Sequence, residues 1–191
     1  MIFSKSQFDD FISDHKLASL GGNYKCVAVI GCQSSGKSTL LNIVFGTSFE
    51  MMDEDKGRQQ TTKGIWMTHN EDKDTLILDI EGTDSKERGD AHLTFEQTTS
   101  LFALAMADVL LINMWYTDIG RNSGSNFGLL KVIFECNLKL FGQSTSKKLL
   151  YVIRDFPGGK NADAIKALID KDIEDLWSQI YKPDKFKNST A

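Results

Sequence analysis

The residues best suited to chemistry lie in one loop, GCQSSGKST, at positions 31–39. A glycine, four free positions and then Gly-Lys-Ser is the spacing of a phosphate-binding loop, or P-loop, because it lets successive backbone N–H groups point at an anion. Lys37 would contact the terminal phosphates, and the Ser38 hydroxyl would ligate Mg²⁺. At ordinary residue frequencies this pattern occurs by chance in roughly one random chain in a hundred. The neighbouring sequence must therefore show whether the loop is a phosphate-binding one.

The neighbouring sequence fits. The short apolar, β-branched run at 26–30 predicts a strand, and residues 37–45 predict a helix that ends at Gly46. Strand, loop and helix is the order that the motif requires, because the helix start attracts the phosphate. The sequence therefore predicts a nucleotide phosphate site.

Two further polar segments follow apolar runs. Asp79 and Gly82 form a DxxG pattern, in which the carboxylate supports Mg²⁺ through water and the glycine N–H senses the γ-phosphate. Arg154 and Asp155 end a later run. Thr62, in the polar loop between P-loop and DxxG, could complete the Mg²⁺ shell. The competing interpretations are an ordinary strand-ending turn for DxxG and a solvated loop for Thr62.

These segments must be positioned by a sheet. Strands are predicted at 26–30, 75–80, 109–114 and 148–153, and helices at 37–45, 94–105, 126–141 and 161–180. This alternation predicts an α/β fold, with a mostly parallel central sheet and helices on both faces. Ligands bind at the carboxyl ends of such strands, where the polar segments fall. Residues 1–23 are predicted to be a helical extension, and 24–191 the domain itself.

Composition bounds the function. At 191 residues, 41% hydrophobic and 25% charged, the chain is one ordinary globular domain. A net charge of −4 without a basic stripe gives no reason to expect nucleic acid. The most apolar window, 101–115, is shorter than the ~20 residues of a spanning helix, so no membrane span is predicted.

The metal-binding residue types look scattered. The three cysteines are too far apart in sequence for a zinc site and are predicted to be small buried hydrophobes or loop residues. The histidines are each predicted to stand alone. The residues in question are Cys26, Cys32, Cys136, His15, His69 and His92.

Several segments together resemble one family. TKGIW, DIEGTDSKERG and the closing RD resemble the GTPase domain of the atlastin and guanylate-binding-protein branch of the dynamin superfamily. GCQSSGKSTLLN, RQQTTKGIW, GLLKVIFECNLKLF and LLYVIRD are closer to its root-hair-defective-type members, which shape the endoplasmic reticulum in plants, fungi and protists. The resemblance covers about residues 24–180. It implies a P-loop NTPase G domain.

The resemblance also implies roles. Ser38 and Thr62 would ligate Mg²⁺, and Asp79 would support it. Asp155, flanked by Arg154, would accept the N1 and N2 hydrogens of guanine in place of the longer Asn-Lys-x-Asp motif, which the chain lacks. The residues implied to bind the phosphates are Gly31, Gln33, Ser34, Ser35, Gly36, Lys37, Ser38, Thr39 and Gly82.

Two departures from the family bear on mechanism. Atlastin and the guanylate-binding proteins carry an arginine in the P-loop, where this chain has Gln33-Ser34. Arg58 is the candidate for the missing positive charge, and a bound monovalent cation is the alternative. Thr83 stands where Ras-type enzymes have a glutamine, so the attacking water is expected to be positioned by loop backbone and Thr62, without a named general base.

The resemblance implies Mg²⁺-dependent GTP hydrolysis and a GTP-dependent homodimer. In the full-length relatives it implies homotypic fusion and shaping of endoplasmic reticulum membranes from their cytoplasmic face. Members of the family continue beyond the segment matched here, so we expect a G domain that lacks its C-terminal strand. We expect membrane association only through segments absent from this chain. The chain alone would be cytosolic. The alternatives are a nucleotide-binding module without turnover and a P-loop ATPase or kinase, which leaves TKGIW and RD unexplained.

Overall fold

The computed structural model describes residues 5–51, 62, 64–82, 92–120, 130–131, 133–135, 138, 147–158, 162–182 and 184. The helices are α1 (Lys5–Asp14), α2 (Leu17–Leu20), α3 (Lys37–Phe45), α4 (His92–Met106) and α5 (Ala162–Gln179). The strands are β1 (Lys25–Gly31), β2 (Ile65–Asn70), β3 (Thr75–Ile80), β4 (Val109–Trp115) and β5 (Lys148–Arg154). The described residues within the helix predicted at 126–141 are also helical.

The strands form one sheet in the order β2-β3-β1-β4-β5. The four predicted strands are present and parallel, which confirms the mostly parallel α/β sheet. The strand β2 was missed. It is antiparallel to β3 because only residues 71–74 join the two, too few for a parallel crossover. Every β2 residue is half-buried, so the strand lacks the apolar-polar alternation that would mark it.

Both faces of the sheet are covered, which explains why its strands are apolar runs. On one face, Cys26, Ala28 and Ile30 of β1 share a core cluster with Leu104 of α4. On the other face, Val27 and Val29 pack in a cluster with Leu41 of α3. Alternate residues of one strand therefore hold helices on opposite faces.

The polar segments meet where the chain changes direction. After β1 the chain adds β3 on one side, and after β3 it crosses to place β4 on the other side. The register sets Val29 beside Asp79 and Gly31 beside Asn113. The carboxyl ends of β1, β3 and β4 therefore form a switch point, where ligands of α/β sheets bind.

The N-terminal helix packs against the sheet, with Phe11 of α1 on the main core cluster. His15 follows α1, and its ring centroid lies 5.9 Å from that of His69 on β2. The prediction that these two histidines stand alone is therefore wrong, because tertiary packing joins residues that are distant in sequence. Cys26 and Cys32 are buried, as predicted, whereas Cys136 lies outside the described residues.

Within the described part of the chain, no helix combines the length and the apolar character that crossing a bilayer requires.

Candidate functional site

The loop between β1 and α3 has a backbone that only certain residues allow. Gly31 has φ 150°, and a Cβ there would collide with the carbonyl oxygen of Asn113. Ser34 and Gly36 have φ of 58° and 78°. Left-handed residues among right-handed ones give the concave backbone of an anion-binding nest, here leading into the start of α3.

Asn113 of β4 fixes the floor of the loop. Its side-chain NH₂ donates to the backbone oxygen of Ser35 at 2.8 Å and to Ser35 Oγ at 2.9 Å. Ser35 Oγ in turn donates to the carbonyl of Cys32 at 2.8 Å. The sequence analysis missed Asn113, although a single amide inside the apolar run VLLINMW was a visible signal.

We expect Asn113→Asp to destabilise the fold by about 2 kcal/mol or more at pH 8, because it replaces a buried donor with a charged acceptor facing the Ser35 carbonyl. Burial raises the pKa of such a carboxyl above its unfolded value, so the loss should shrink as the pH falls and the carboxyl becomes protonated. Urea unfolding from pH 8 to pH 5 measures this. The exposed control Asn23→Asp should show neither effect; equal behaviour of the two variants would contradict the loop-floor role.

Three oxygen-bearing side chains converge beside the loop. Ser38 Oγ donates to Asp79 Oδ2 at 2.6 Å, Thr62 Oγ1 donates to the same oxygen at 3.2 Å, and the two hydroxyls lie 3.3 Å apart. Asp79 Oδ1 is buried and has no hydrogen-bond partner among the described residues. Hydroxyl and carboxylate oxygens are the ligands that Mg²⁺ prefers, so this set fits such an ion.

Lys37 lies buried next to these oxygens. Its Nζ donates to the carbonyl of Gly31 at 3.0 Å and to that of Cys32 at 2.9 Å. Burial lowers the pKa of Lys37, while electrostatic interactions with Asp79, Cys32 and Glu81 oppose the shift. Burial likewise raises the pKa of Asp79, against the hydrogen bond from Ser38, the charge of Lys37 and the hydrogen bond from Thr62. Burial therefore disfavours the charged form of both Lys37 and Asp79, and their mutual attraction opposes this effect.

Gly82 brings the end of β3 against the loop. A Cβ on Gly82 would lie 2.7 Å from the backbone nitrogen of Gln33 and 3.0 Å from Lys37 Nζ. Its neighbour Glu81 accepts a hydrogen bond from the Gly64 N–H at 2.6 Å, and the Glu81 N–H donates to the Gly64 carbonyl at 2.8 Å. Glu81, which the sequence analysis did not single out, therefore ties the segment after Thr62 to the DxxG segment.

Arg154 and Asp155 reach the same end of the sheet from β5. A Cβ on Gly36 would lie 3.2 Å from Arg154 Nη2, so this guanidinium lies beside the loop. Asp155 is exposed, with φ 53°, and Phe156 packs edge-on against Tyr116 with ring centroids 5.7 Å apart.

The structure thus assembles much of the predicted site. Around the loop it brings together Lys37, Ser38, Thr62, Asp79, Gly82 and Arg154. Gln33 and Ser34 lie in the loop itself, and Thr39 lies half-buried in the first turn of α3. Arg58 and Thr83 lie outside the described residues.

Comparison with known proteins gives a consistent result. The family described as the root hair defective 3 GTP-binding protein (RHD3) GTPase domain matches residues 30–191. Protein SEY1 homolog 1 of Trichomonas vaginalis is 50% identical over 186 residues, which cover 95% of this chain and 23% of that protein. Protein ROOT HAIR DEFECTIVE 3 homolog 1 of Arabidopsis thaliana is 44% identical, over 98% of this chain and 24% of that protein. The chain therefore spans about a quarter of the length of these relatives.

Solved structures are more distant. Era from Aquifex aeolicus, bound to GDP and AlF4⁻, has a TM-score of 0.47 and 21% identity, over 82% of this chain and 48% of that one. NFeoB from S. thermophilus, bound to GDP, AlF4⁻ and K⁺, has a TM-score of 0.43 and 17% identity, over 78% and 61%.

Proposed function

The chain belongs to the root hair defective 3 family of GTPase domains, and from this membership we propose that it binds GTP with Mg²⁺ and hydrolyses GTP to GDP and phosphate. The observation that carries the proposal is the convergence of Ser38, Thr62 and Asp79 beside the buried ammonium of Lys37. A phosphate chain laid along the loop would meet the positive charge of Lys37 and a set of oxygens suited to the accompanying metal ion.

We assign the phosphates to the loop backbone and Lys37. The N–H groups from Gln33 to Thr39 would donate to phosphate oxygens at the start of α3. Lys37 would exchange the carbonyls of Gly31 and Cys32, which it now contacts, for the more strongly accepting phosphate oxygens. Gly82 lies close enough to Gln33 and Lys37 for its N–H to sense a γ-phosphate.

Ser38 and Thr62 would hold Mg²⁺, with Asp79 supporting it through water. When bound, this ion neutralises charge that develops on the phosphate oxygens. Holding Thr62 in this set fixes the segment that precedes Gly64, which Glu81 already anchors. Binding or loss of the γ-phosphate would thus change the conformation of the segment that contains Thr62.

In the hydrolysis step a water attacks the γ-phosphorus, the bond to the β–γ bridging oxygen breaks, and GDP leaves. We propose that Thr62 and its neighbouring backbone position this water. Arg58 is our candidate for the positive charge that offsets the negative charge developing on the phosphate oxygens. A bound monovalent cation is the alternative.

We expect Thr62→Ala to lower the rate of GTP hydrolysis by roughly 10²-fold or more, as loss of one positioned polar contact does in other enzymes, with a smaller loss of affinity. Single-turnover phosphate release measures the rate, and nucleotide titration the affinity. The control is Thr68→Ala, since Thr68 is half-buried on β2 but lies away from the loop. Unaltered hydrolysis in Thr62→Ala would remove Thr62 from the mechanism. Binding of GTP without any phosphate release by the unaltered chain would leave only a binding module.

In a protein of the relatives' length, we propose that this domain acts at the cytoplasmic face of the endoplasmic reticulum. There GTP would induce a homodimer, and the homodimer would bring two membranes together. The proposal is supported by family membership and by the described contacts through which a γ-phosphate would reach the segment around Thr62.

We therefore expect a GTP analogue with Mg²⁺ to convert that longer protein from monomer to dimer. A γ-phosphate would order the segment around Thr62, and an ordered segment is a surface that a second copy can bind. Analytical ultracentrifugation without nucleotide, with GDP and with the analogue provides the test. A monomer in all three states would reject the fusion proposal and leave the GTPase proposal standing.

A further inference from the structure

A second cluster of metal-ligating side chains lies at the other end of the sheet. His69 on β2 is paired with Leu76 near the start of β3, whereas the phosphate loop adjoins the carboxyl end of that strand. Ligand atoms of His15, His69 and Glu71 all lie within 4.8 Å of one another, and His15 Nδ1 is 4.0 Å from Glu71 Oε1. The mechanism proposed above uses none of these residues.

The polar atoms of this cluster lack ordinary partners. His15 Nδ1 and both ring nitrogens of His69 are buried and have no hydrogen-bond partner among the described residues. A neutral imidazole has one donor and one acceptor, and leaving either buried and unpaired costs about 1–3 kcal/mol. The ring contacts of His15 with Phe11 and His69 explain the packing but satisfy none of these nitrogens.

The local structure sets the ligand spacing. His69 is the second-last residue of β2, and Glu71 begins the 3-10 turn Glu71–Lys73 that follows the strand. Asn70 between them accepts from the Lys73 N–H at 3.1 Å and donates to the Phe45 carbonyl at 2.8 Å, which fixes the turn. His15 reaches the pair from the end of α1.

We propose that His15, His69 and Glu71 form a Zn²⁺ site that clamps the N-terminal helix to the β2 edge of the sheet. Two imidazoles and one carboxylate are a ligand set that zinc accepts, with water at the fourth position. Ligand atoms about 2.0–2.2 Å from a tetrahedral ion lie roughly 3.3–3.5 Å apart, so the cluster must contract by about 1 Å. Glu71, whose side chain is 78% exposed, is free to make most of that movement.

Zinc titration of the metal-free chain, with the phosphate site saturated by Mg²⁺ and GDP, tests the proposal. Isothermal titration calorimetry should show one zinc per chain, and zinc at about a hundred times its Kd should raise Tm by several degrees. His15→Ala and His69→Gln should each weaken binding by roughly 100-fold or more. The matched control is His92→Ala, which removes the chain's remaining histidine and should bind as the unaltered chain does.

Cobalt substitution separates this cluster from the cysteines. Burial, with a contribution from Asp108, raises the pKa of Cys26 to about 12, so its thiol is a poor ligand. Co²⁺ should therefore give visible d–d bands without a thiolate charge-transfer band. A thiolate band, an absence of zinc binding, or equal zinc affinity in the His15 and control variants would overturn the proposal.

If either histidine variant fails to fold, Glu71→Gln tests the zinc site instead. Its side chain is exposed, so folding should be unaffected while zinc affinity falls about tenfold or more. Unchanged affinity in Glu71→Gln would exclude the three-ligand site. None of these readouts depends on GTP hydrolysis, so the clamp and the GTPase proposal can fail separately.

Discussion

Replacing Lys37 with alanine is expected to abolish measurable GTP binding. The ammonium is buried at the head of α3 and held at 3.0 and 2.9 Å from two loop carbonyls, beside the loop along which we propose that the phosphates bind. A charge-assisted hydrogen bond is worth about 1.5–3 kcal/mol. Two such contacts, to β- and γ-phosphate, correspond to a loss of roughly 10²–10⁴-fold in affinity. Titration with a fluorescent GTP analogue measures the loss.

The control for Lys37→Ala is Lys25→Ala, because Lys25 is the exposed first residue of β1. Both variants should keep the circular dichroism spectrum of the unaltered chain, and only Lys37→Ala should lose nucleotide. Full affinity in Lys37→Ala would reject the phosphate-loop assignment, since no other described lysine lies in the loop.

Changing Asp155 to asparagine is expected to exchange the base preference of the site. The carboxylate would accept two hydrogen bonds from guanine N1 and N2, and an amide presents a donor where guanine also donates. Xanthine carries an oxygen at position 2, so xanthosine triphosphate should bind better as GTP binds worse. A site built on such a pair can discriminate by roughly 10⁴-fold.

The backbone conformation at Asp155 is one that asparagine also adopts, so the substitution tests base recognition without disturbing the fold. Asp155 has φ 53°, a left-handed conformation that asparagine and aspartate tolerate better than other side chains. The variant should therefore fold, with its Tm close to that of Asp175→Asn, an exposed control on α5. Competition between GTP, ATP and xanthosine triphosphate gives the preference. If Asp155→Asn keeps full preference for GTP, then Arg154-Asp155 is a strand-ending turn and the guanine assignment is wrong.

The sequence alone was sufficient for the parts of the protein that local chemistry dictates. The spacing of Gly31, Gly36 and Lys37 marks the phosphate loop, because the tight backbone turn needs glycine at defined positions. Four strands were predictable because a sheet covered on both faces requires uninterrupted apolar runs. The DxxG and Arg-Asp segments were placed at one edge of the sheet because parallel strands end there together.

Tertiary structure alone decided the features that depend on contacts between different elements. The strand β2 has no periodic pattern, since it is half-buried along its length and is defined by pairing with β3. Asn113 matters because register sets it beside Gly31, and Glu81 matters because it accepts from Gly64 across the sheet edge. His15 and His69, 54 residues apart in sequence, meet only because α1 folds onto β2. The Asn113–Ser35 and His15–His69 contacts join segments far apart in the chain. The Gly64–Glu81 contact and the β2 pairing depend on the hairpin closed by residues 71–74. Residue spacing encodes neither kind of contact.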